Sequence, residues 1–257
     1  MTSFKKIIVG VLALQGSFRE HISHFNKLFD ILSADPKYED YKLSVRPIRK
    51  PNDLIGINAL VLVGGESTAI SILVQRSGLY EPLCELIQSG RIAIWGTCAG
   101  LILISKLVTN TKIDLGDLEY KVMGGLDVVI ERNSFGRQLD SFTDVLHGFA
   151  GLGEEGGFDG VFIRAPVITK VLDKIEPIGS QLVDTQDFAV APTISLNNAE
   201  VEILSTVNKG GKSLIVAVKQ GHVLGTSFHP ELVQDDYRFH RWFLDEFVIT
   251  IYNSRNS

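Results

Sequence analysis

The sequence predicts an α/β fold, in which a mostly parallel central sheet lies between two layers of helices. Continuous apolar runs rich in β-branched residues alternate with segments of helical periodicity, and this order is typical of parallel sheets. An apolar fraction of 45% with 21% charged residues is ordinary for a globular protein. No repeat or linker divides the chain, so we expect one domain over residues 1–257.

The first half of the chain carries the alternation most clearly. Residues 7–14 (IIVGVLAL) are a continuous apolar run, as expected of a strand covered on both faces. The next segment has apolar residues at steps of three and four, which indicates one face of a helix: Phe18, Ile22, Phe25, Phe29 and Leu32. The same alternation predicts strands at 59–63 and 92–95 and helices at 79–88 and 99–108.

The second half of the chain is richer in predicted strands. The candidates are residues 126–130, 160–163, 201–207, 213–219 and 223–228. A closing helix is predicted at about 237–251, with one apolar face made of Phe239, Trp242, Phe243, Phe247 and Ile251. Glycine-rich or polar stretches at 109–125, 148–160 and 180–200 are predicted to be surface loops or hairpins.

Composition and charge exclude several classes of protein. The formal net charge of −5 gives nucleic acid no bulk attraction, and no apolar stretch approaches the ~18 to 20 residues of a membrane span. The start, Lys5-Lys6 followed by an apolar run, imitates a signal peptide, but the run is short and lacks a cleavage site. Two cysteines are too few for a disulfide framework. We therefore expect a cytoplasmic protein.

Cys98 lies in GTCAG, directly between a predicted strand and a predicted helix. A nucleophile at such an elbow needs small residues two positions to either side, and Gly96 and Gly100 occupy both. Because the helix N-terminus favours a thiolate, we interpret Cys98 as a nucleophile rather than a buried core cysteine. Cys84 has no such glycine frame, and we assign it to the core.

Six histidines could serve as the base for this thiol. His229 is singled out because it follows the apolar strand VLGTSF, whose carboxyl end lies at the same sheet edge as the Cys98 elbow. Glu231, two residues further on, could orient the imidazole and complete a Cys-His-Glu relay. The other five histidines are placed on helices or in turns: His21, His24, His147, His222 and His240.

Glycines and charged residues at other predicted strand ends could complete a site. Gly64-Gly65-Glu66-Ser67 follows a strand, and its backbone N–H groups could face a developing oxyanion. The alternative is a simple turn into a helix capped by Ser67. Arg132 and Arg164 follow two further strands, and they either bind a substrate carboxylate or lie solvated on the surface.

Five segments together resemble one known family. They are LALQGSFREH, GGEST, GTCAGLILISK, ERNSFGRQLDSF with FIRAP, and GTSFHPEL. With these motifs the chain resembles the glutaminase subunit of pyridoxal 5′-phosphate synthase, the PdxT/SNO group of class I glutamine amidotransferases, from about Ile8 to the last helix. The resemblance implies the three-layer α/β/α fold of that group and hydrolysis of L-glutamine to glutamate and ammonia.

The resemblance also implies roles for individual residues. Cys98 would be the nucleophile, with His229 and Glu231 as its relay. The oxyanion would be stabilised by backbone groups of Gly64, Gly65 and Ala99. The glutamine pocket would consist of Gly65, Glu66, Ser67, Arg132, Ile163 and Arg164. Neither a cofactor nor a metal is implied.

Family members pass ammonia to a separate synthase subunit, a (βα)8 barrel that forms rings and builds pyridoxal 5′-phosphate, which is vitamin B6. Glutaminase activity in the family depends on docking to that barrel, and Gln15 matches a residue near the contact. The chain departs from the family at Val63, where proline is usual, and in segments 33–46, 109–121 and 181–200, which are longer. The rival hypotheses are a γ-glutamyl peptidase built on the same elbow and a binding protein without turnover.

Overall fold

The computed structural model of the chain describes residues 4–111, 119–132, 141–152, 157–172, 188–192 and 197–256. Its strands are β1 (Lys5–Leu12), β2 (Tyr41–Ile48), β3 (Ala59–Leu62), β4 (Ala93–Thr97), β5 (Ser105–Thr109), β6 (Leu126–Glu131), β7 (Ser141–Leu146), β8 (Phe158–Ile163), β9 (Val167–Val171), β10 (Phe188–Val190), β11 (Val201–Lys209), β12 (Lys212–Gln220) and β13 (Val223–Thr226). Its α-helices are α1 (Phe18–Leu32), α2 (Ser67–Arg76), α3 (Tyr80–Gln88), α4 (Ala99–Leu103), α5 (Arg238–Phe243) and α6 (Thr250–Asn256). No helix within these ranges has the length and apolar character needed to cross a bilayer.

A large sheet runs through the centre of the molecule. Its strands lie in the order β2-β1-β3-β4-β13-β12-β9-β6-β5-β10, and β11 pairs with β12 outside this path. The strands from β2 to β13 are all parallel to one another. Antiparallel pairing begins where β13 meets β12 and continues to β9 and β6. The carboxyl ends of the parallel strands therefore share one edge, where the candidate residues were expected.

Each face of the parallel strands packs against its own layer of helices. Alternate residues of β1 point to opposite faces, so Ile7 and Val9 belong to one apolar cluster and Ile8 and Leu12 to the other. The first of these clusters includes residues of α1 and α5, and the second includes residues of α2 and α3. This arrangement confirms the predicted three-layer α/β/α fold.

The two long amphipathic helices of the prediction are confirmed. Helix α1 has the predicted bounds, Phe18–Leu32, and buries Phe25 and Leu32 against the sheet. The closing helix runs further than predicted, through a π-helical segment (Leu244–Ile249) into α6. Its apolar face is buried as expected except at Ile251, which is half-buried, and the Trp242 indole N–H donates to the Ala150 carbonyl at 2.9 Å. Both helices therefore cover the same face of the sheet.

The predicted helix over 99–108 is wrong in its second half. Helix α4 ends at Leu103, and β5 follows at once, paired with β6 and β10. A short continuous apolar run is typical of a buried helix and of a buried strand alike, and its periodicity does not separate the two. The β-branched side chains of Val108 and Thr109 favour the strand.

Residues 119–125, predicted to lie in a surface loop, pack against the helices instead. Val122 is fully buried, and its carbonyl accepts a hydrogen bond from the Tyr80 hydroxyl at 3.0 Å. The Ser71 hydroxyl donates to the Lys121 carbonyl at 2.8 Å. The backbone polar groups of this segment thus find partners on α2 and α3, which lets it be buried without regular secondary structure.

The longer segments of the chain are only partly described. Segment 33–46 contains a 3-10 turn (Pro36–Tyr38) and most of β2, an edge strand that the sequence did not predict. The Tyr38 hydroxyl donates to a carboxylate oxygen of Asp245 at 2.7 Å and ties the turn to the closing helix. Most of segments 109–121 and 181–200 lies outside the described residues.

Candidate active site

The Cys98 elbow lies where β4 ends and α4 begins. Cys98 has a φ of 49° and a ψ of −105°, a backbone conformation that residues other than glycine rarely adopt. A Cβ at Gly96 would lie 2.7 Å from the backbone of Gly100, and one at Gly100 would collide with the Leu62 carbonyl. The Cys98 N–H donates to the Thr226 carbonyl at 2.8 Å and ties the elbow to β13. Both predicted glycines are therefore a steric requirement of this turn.

His229 meets the elbow from the end of β13. Its backbone N–H donates to the Val161 carbonyl at 2.8 Å, and its Nδ1 lies 2.8 Å from Glu231 Oε1. Its side chain and that of Cys98 both lie against Gly64, close enough to interact electrostatically. Burial lowers the pKa of His229, but the contacts with Cys98 and Glu231 outweigh it and raise the pKa to about 10. The site therefore favours an imidazolium between the sulfur and the carboxylate.

Glu231 is an ionised carboxylate in the interior. Its side chain is fully buried, its Oε1 accepts from the Ser17 hydroxyl at 2.5 Å, and its Oε2 lies 3.2 Å from His21 Nε2. Burial raises the pKa of Glu231, but His21 and His229 lower it well below its usual value. The carboxylate can therefore hold the His229 ring in one orientation and stabilise its charged form.

The glycine loop after β3 packs directly on the elbow. A Cβ at Gly64 would lie 2.8 Å from His229 Nδ1 and 3.3 Å from Cys98 Cβ, so no larger residue fits there. The Gly64 carbonyl accepts from the Ser17 N–H at 3.0 Å. Gln15 lies on the other side of the loop, and its Oε1 accepts from the Glu66 N–H at 3.1 Å. The end of β1 thus holds the loop in place.

Glu66, and not Ser67, caps helix α2. The Glu66 carboxylate accepts from the Thr68 N–H at 3.0 Å and from the Ala69 N–H at 2.6 Å, and Ser67 is the first helical residue. Burial raises the pKa of Glu66, but these backbone hydrogen bonds keep it below its usual value. The alternative in which Ser67 caps the helix is therefore wrong, and Glu66 offers a fixed negative charge beside the loop.

The two candidate arginines differ in their environment. Arg132 is buried, donates to the Thr68 hydroxyl at 2.9 Å and lies 3.7 Å from Glu66 Oε1, so it is not a solvated surface residue. Arg164 is exposed at the end of β8, with a φ of 43°. It directly follows Ile163, whose carbonyl lies 4.0 Å from Cys98 Sγ. The rest of the ERNSFGRQLDSF motif, residues 133–140, lies outside the described residues.

Two residues that contact the carboxylate, Ser17 and His21, have no role predicted from the sequence. Both lie in the LALQGSFREH motif, which was the only signal for them. Ala99, the third expected oxyanion residue, is buried directly after Cys98, at the start of α4. Within the described residues, no group of three or more His, Cys, Asp or Glu side chains is arranged to hold a metal ion.

Two pyridoxal 5′-phosphate synthase subunits are similar to this chain over nearly its whole length. Pyridoxal 5′-phosphate synthase subunit SNO1 of Saccharomyces cerevisiae is 37% identical over 242 residues, which cover 94% of this chain and 93% of that protein. Pyridoxal 5′-phosphate synthase subunit PdxT of Thermus thermophilus is 37% identical over 238 residues, which cover 93% of this chain and 96% of that protein. The likeness therefore spans both halves of the site.

A solved structure and a protein-family model are also similar to this chain, and both are of glutamine amidotransferases. A crystal structure of a glutamine amidotransferase superposes with a TM-score of 0.66 at 35% sequence identity, covering 95% of this chain and 98% of that one. The model of the SNO glutamine amidotransferase family matches residues 11–184 and 180–249. The chain therefore belongs to the SNO glutamine amidotransferase family and is a glutamine-hydrolysing enzyme.

Proposed function

We propose that this enzyme hydrolyses L-glutamine through Cys98, His229 and Glu231 and passes the ammonia to a synthase subunit that makes pyridoxal 5′-phosphate, vitamin B6. The observation that carries the proposal is the strained elbow, which places the thiol against an imidazole that is itself paired with a buried carboxylate. This order of nucleophile, base and orienting group suits acyl transfer. We assign the function to one glutaminase domain of residues 1–257 in the cytoplasm.

In the first half-reaction, the Cys98 thiolate attacks the side-chain carbonyl carbon of glutamine. The carbonyl electron pair moves to the oxygen, where backbone N–H groups of the Gly64-Gly65 loop and of Ala99 stabilise the negative charge. His229 donates its Nε2 proton to the amide nitrogen, and ammonia leaves as the carbonyl re-forms. A γ-glutamyl thioester on Cys98 remains.

In the second half-reaction, water hydrolyses the thioester. His229 Nε2 accepts a proton from the water as its oxygen attacks the thioester carbon. The tetrahedral intermediate expels the Cys98 thiolate and releases glutamate, which leaves the imidazolium and thiolate as they began. Glu231 keeps its proton-free form throughout, because its pKa is held well below its usual value. One glutamine and one water thus yield glutamate and ammonia.

The free α-groups of glutamine would be recognised beside the thiol. Residues proposed for the pocket are Gly65, Glu66, Ser67, Arg132, Ile163 and Arg164. Glu66, ionised and with half of its side chain exposed, can meet the α-ammonium group. Arg164 can meet the α-carboxylate, and Arg132 Nη1 is a second donor with no partner among the described residues. Because two fixed charges of the protein would hold the groups on the α-carbon, only a side chain of the length of glutamine would place its amide at Cys98.

The ammonia acceptor is proposed from the relatives, which are pyridoxal 5′-phosphate synthase subunits by description. We expect the partner to be a (βα)8 barrel that docks next to Gln15. Gln15 holds the Glu66 N–H, and Ser17 holds the Gly64 carbonyl, so the segment after β1 sets the orientation of the glycine peptides between them. A partner that moves Gln15 would thus reset the oxyanion loop, and Val63, where proline is usual, leaves the loop freer to respond.

The experiment is steady-state ammonia release by the purified chain, with and without the synthase subunit. L-glutamine and a γ-glutamyl dipeptide are compared in the same assay. We expect glutamine turnover that rises strongly when the synthase is added. Preference for the dipeptide would identify a γ-glutamyl peptidase, and no turnover of either would identify a binding protein. Full activity in isolation, unchanged by a synthase that binds, would rule out activation by docking.

The role of Gln15 is tested by Gln15→Ala in the same assay. We expect the variant to lose synthase-stimulated turnover and to keep its basal turnover. Gln88→Ala at the end of α3 is the matched control, because it removes the same side chain far from the loop. Equal stimulation of both variants would remove Gln15 from the proposal.

A further inference from the structure

Behind Glu231 lie buried histidines that the proposed mechanism does not use. His21 on α1 and His240 on α5 are both fully buried. His21 Nε2 lies 3.2 Å from Glu231 Oε2, and His21 Nδ1 lies 3.0 Å from His240 Nε2. The Trp95 ring packs edge-on against His21 with centroids 5.3 Å apart. The line from Cys98 to Glu231 therefore continues through two more imidazoles into the core.

The hydrogen-bond partners of these imidazoles fix where their protons lie. His240 Nδ1 is buried and has no hydrogen-bond partner among the described residues. Burial, with His21 and His24 alongside, holds the pKa of His240 well below its usual value, so the ring carries a single proton. A proton on Nδ1 would leave a buried N–H unsatisfied, so it belongs on Nε2 and is donated to His21 Nδ1. His21 Nδ1 is then an acceptor, and the His21 proton lies on Nε2.

The opposite tautomers conflict with the same contacts. His21 Nε2 also lies 3.4 Å from the Thr97 hydroxyl, which could donate to it if Nε2 carried no proton. The Nε2 lone pair would then face the Glu231 carboxylate, and His240 would carry its proton on the unpartnered Nδ1. Both consequences are unfavourable in the interior. In the Nε2–H form, His21 can donate to the Thr97 hydroxyl while its N–H faces Glu231 Oε2, and the position left without a partner on His240 is an acceptor.

We propose that His21 is a positioning residue for Glu231: His240 holds it as the Nε2–H tautomer, and its N–H supports the second oxygen of the carboxylate. Oε1 of Glu231 has two donors, Ser17 and His229, whereas His21 Nε2 is the group that faces Oε2. Oε2 lies off the axis of an aligned hydrogen bond, so the attraction is mainly electrostatic. The inference rests on the proposed function, since it concerns the residue that orients the base.

The expected consequence of losing this N–H is a change in pH dependence. The titratable groups that face the carboxylate and His21 come from every element around them: Cys98 after β4, His229 just before the 230–232 turn, His24 on α1 and His240 on α5. Asp235 and Asp236 lie beyond them, beside His24. Without the His21 N–H, Glu231 ionises less readily and supports the imidazolium less. The acid limb of Cys98 reactivity should then move up by about one pH unit.

Two polar substitutions separate positioning from simple packing. His21→Gln can place an amide N–H where Nε2 lies, whereas His21→Asn reaches only towards His240. We expect His21→Gln to keep the wild-type acid limb of Cys98 alkylation, and His21→Asn to move it up by about one pH unit and to lower kcat about tenfold with little change in KM. His222→Asn is the control, because the His222 imidazole contacts the Ile87 carbonyl at the opposite end of β13 from the carboxylate. Equal profiles for all three variants would overturn the inference.

A measurement on the unsubstituted protein guards against variants that fail to fold. Imidazole ¹⁵N spectra should show His21 and His240 protonated at Nε2, and a proton on His21 Nδ1 would overturn the inference. Cys98→Ala in the same turnover assay separates the two proposals. A Cys98→Ala enzyme that still hydrolyses glutamine refutes the proposed mechanism. An inactive Cys98→Ala enzyme beside a His21→Asn enzyme of wild-type profile refutes only the role of His21.

Discussion

Cys84 and Cys98 are equally buried, yet the surroundings of the two thiols differ. The exposed fractions are 8% and 7%. Cys84 lies on the apolar face of α3, where burial raises the pKa of its thiol to about 11. Cys98 stands at a strained elbow with the His229 imidazole against its sulfur and a carboxylate behind the ring. We therefore expect neighbouring charge and backbone geometry, and not exposure, to decide which cysteine reacts.

The largest expected effect is the loss of turnover on replacing one cysteine and not the other. Cys98→Ala should lower synthase-stimulated ammonia release about a thousandfold or more, because the nucleophile is gone and the backbone of the elbow is kept. Cys84→Ala should retain wild-type turnover. Circular dichroism and synthase binding check that both variants are folded. Comparable turnover in the two variants would show that the elbow does not supply the nucleophile.

A similar contrast holds between His229, which is buried, and His222, which is half-buried. His229→Asn should lower turnover nearly as much as loss of the cysteine, and Glu231→Gln less, about a hundredfold, because it orients the base. His222 is the matched control: its Nε2 donates to the Ile87 carbonyl at 2.7 Å, and burial lowers its pKa, so it stays neutral. We expect His222→Asn to lose stability and to keep turnover. Small and equal losses at His229 and Glu231 would place the base elsewhere.

Alkylation rates should separate the two thiols by their pH dependence. The His229 pKa of about 10 means that the imidazolium is present at neutral pH and is lost only as the pH rises through about 10. Labelling of Cys98 by iodoacetamide should therefore change little from pH 7 to 9. Cys84, with a pKa of about 11, should label about tenfold faster for each pH unit over that range. Peptide mapping by mass spectrometry gives both rates, and parallel profiles would refute the imidazolium.

The surroundings of Cys98 also explain how much of the site the sequence could predict, because some of them are local in sequence and others are distant. The glycines two positions from Cys98 and the HPE motif after a strand are local signals in the sequence. The structure places both at the same edge of the sheet, where His229 contacts Glu231. Ser17, just before α1, approaches Glu231 across 214 sequence positions, and His21 does so from the first turn of that helix. Only the packing of α1 on the sheet brings them there. No spacing rule within the sequence could reveal these contacts.

The fold was predictable where the apolar pattern is long. Strand β1 and helix α1 follow from eight and fifteen residues of unambiguous pattern. The run 99–108 was misassigned because a five-residue helix and a five-residue strand share one continuous apolar stretch. Strand β2 was not predicted because it is a half-buried edge strand that includes Pro47. Short or edge elements depend on tertiary pairing, which a single sequence does not display.

Loss of either candidate arginine should affect glutamine binding more moderately. Arg164→Ala should weaken glutamine binding by about 1.5 to 3 kcal/mol without loss of stability, since the exposed side chain would lose only a charged hydrogen bond to the substrate. Arg132→Ala should weaken binding and stability together, because Arg132 is buried against Thr68. Titrations on a Cys98→Ala background measure affinity without turnover, and Arg91→Ala is the surface control. Unchanged affinity in both variants would remove these arginines from the pocket.

The smallest expected effect belongs to Cys84, which should matter for stability alone. Its side chain packs in the cluster that includes Leu83 and Ile87 on α3. Cys84→Ala removes the sulfur from this packing and should lower the free energy of unfolding by about 1 kcal/mol, or the melting temperature by about 2 to 4 °C. Scanning calorimetry gives the shift, with glutamine turnover measured on the same sample. A variant of unchanged stability but reduced turnover would place Cys84 in the chemistry, because packing alone produces the reverse.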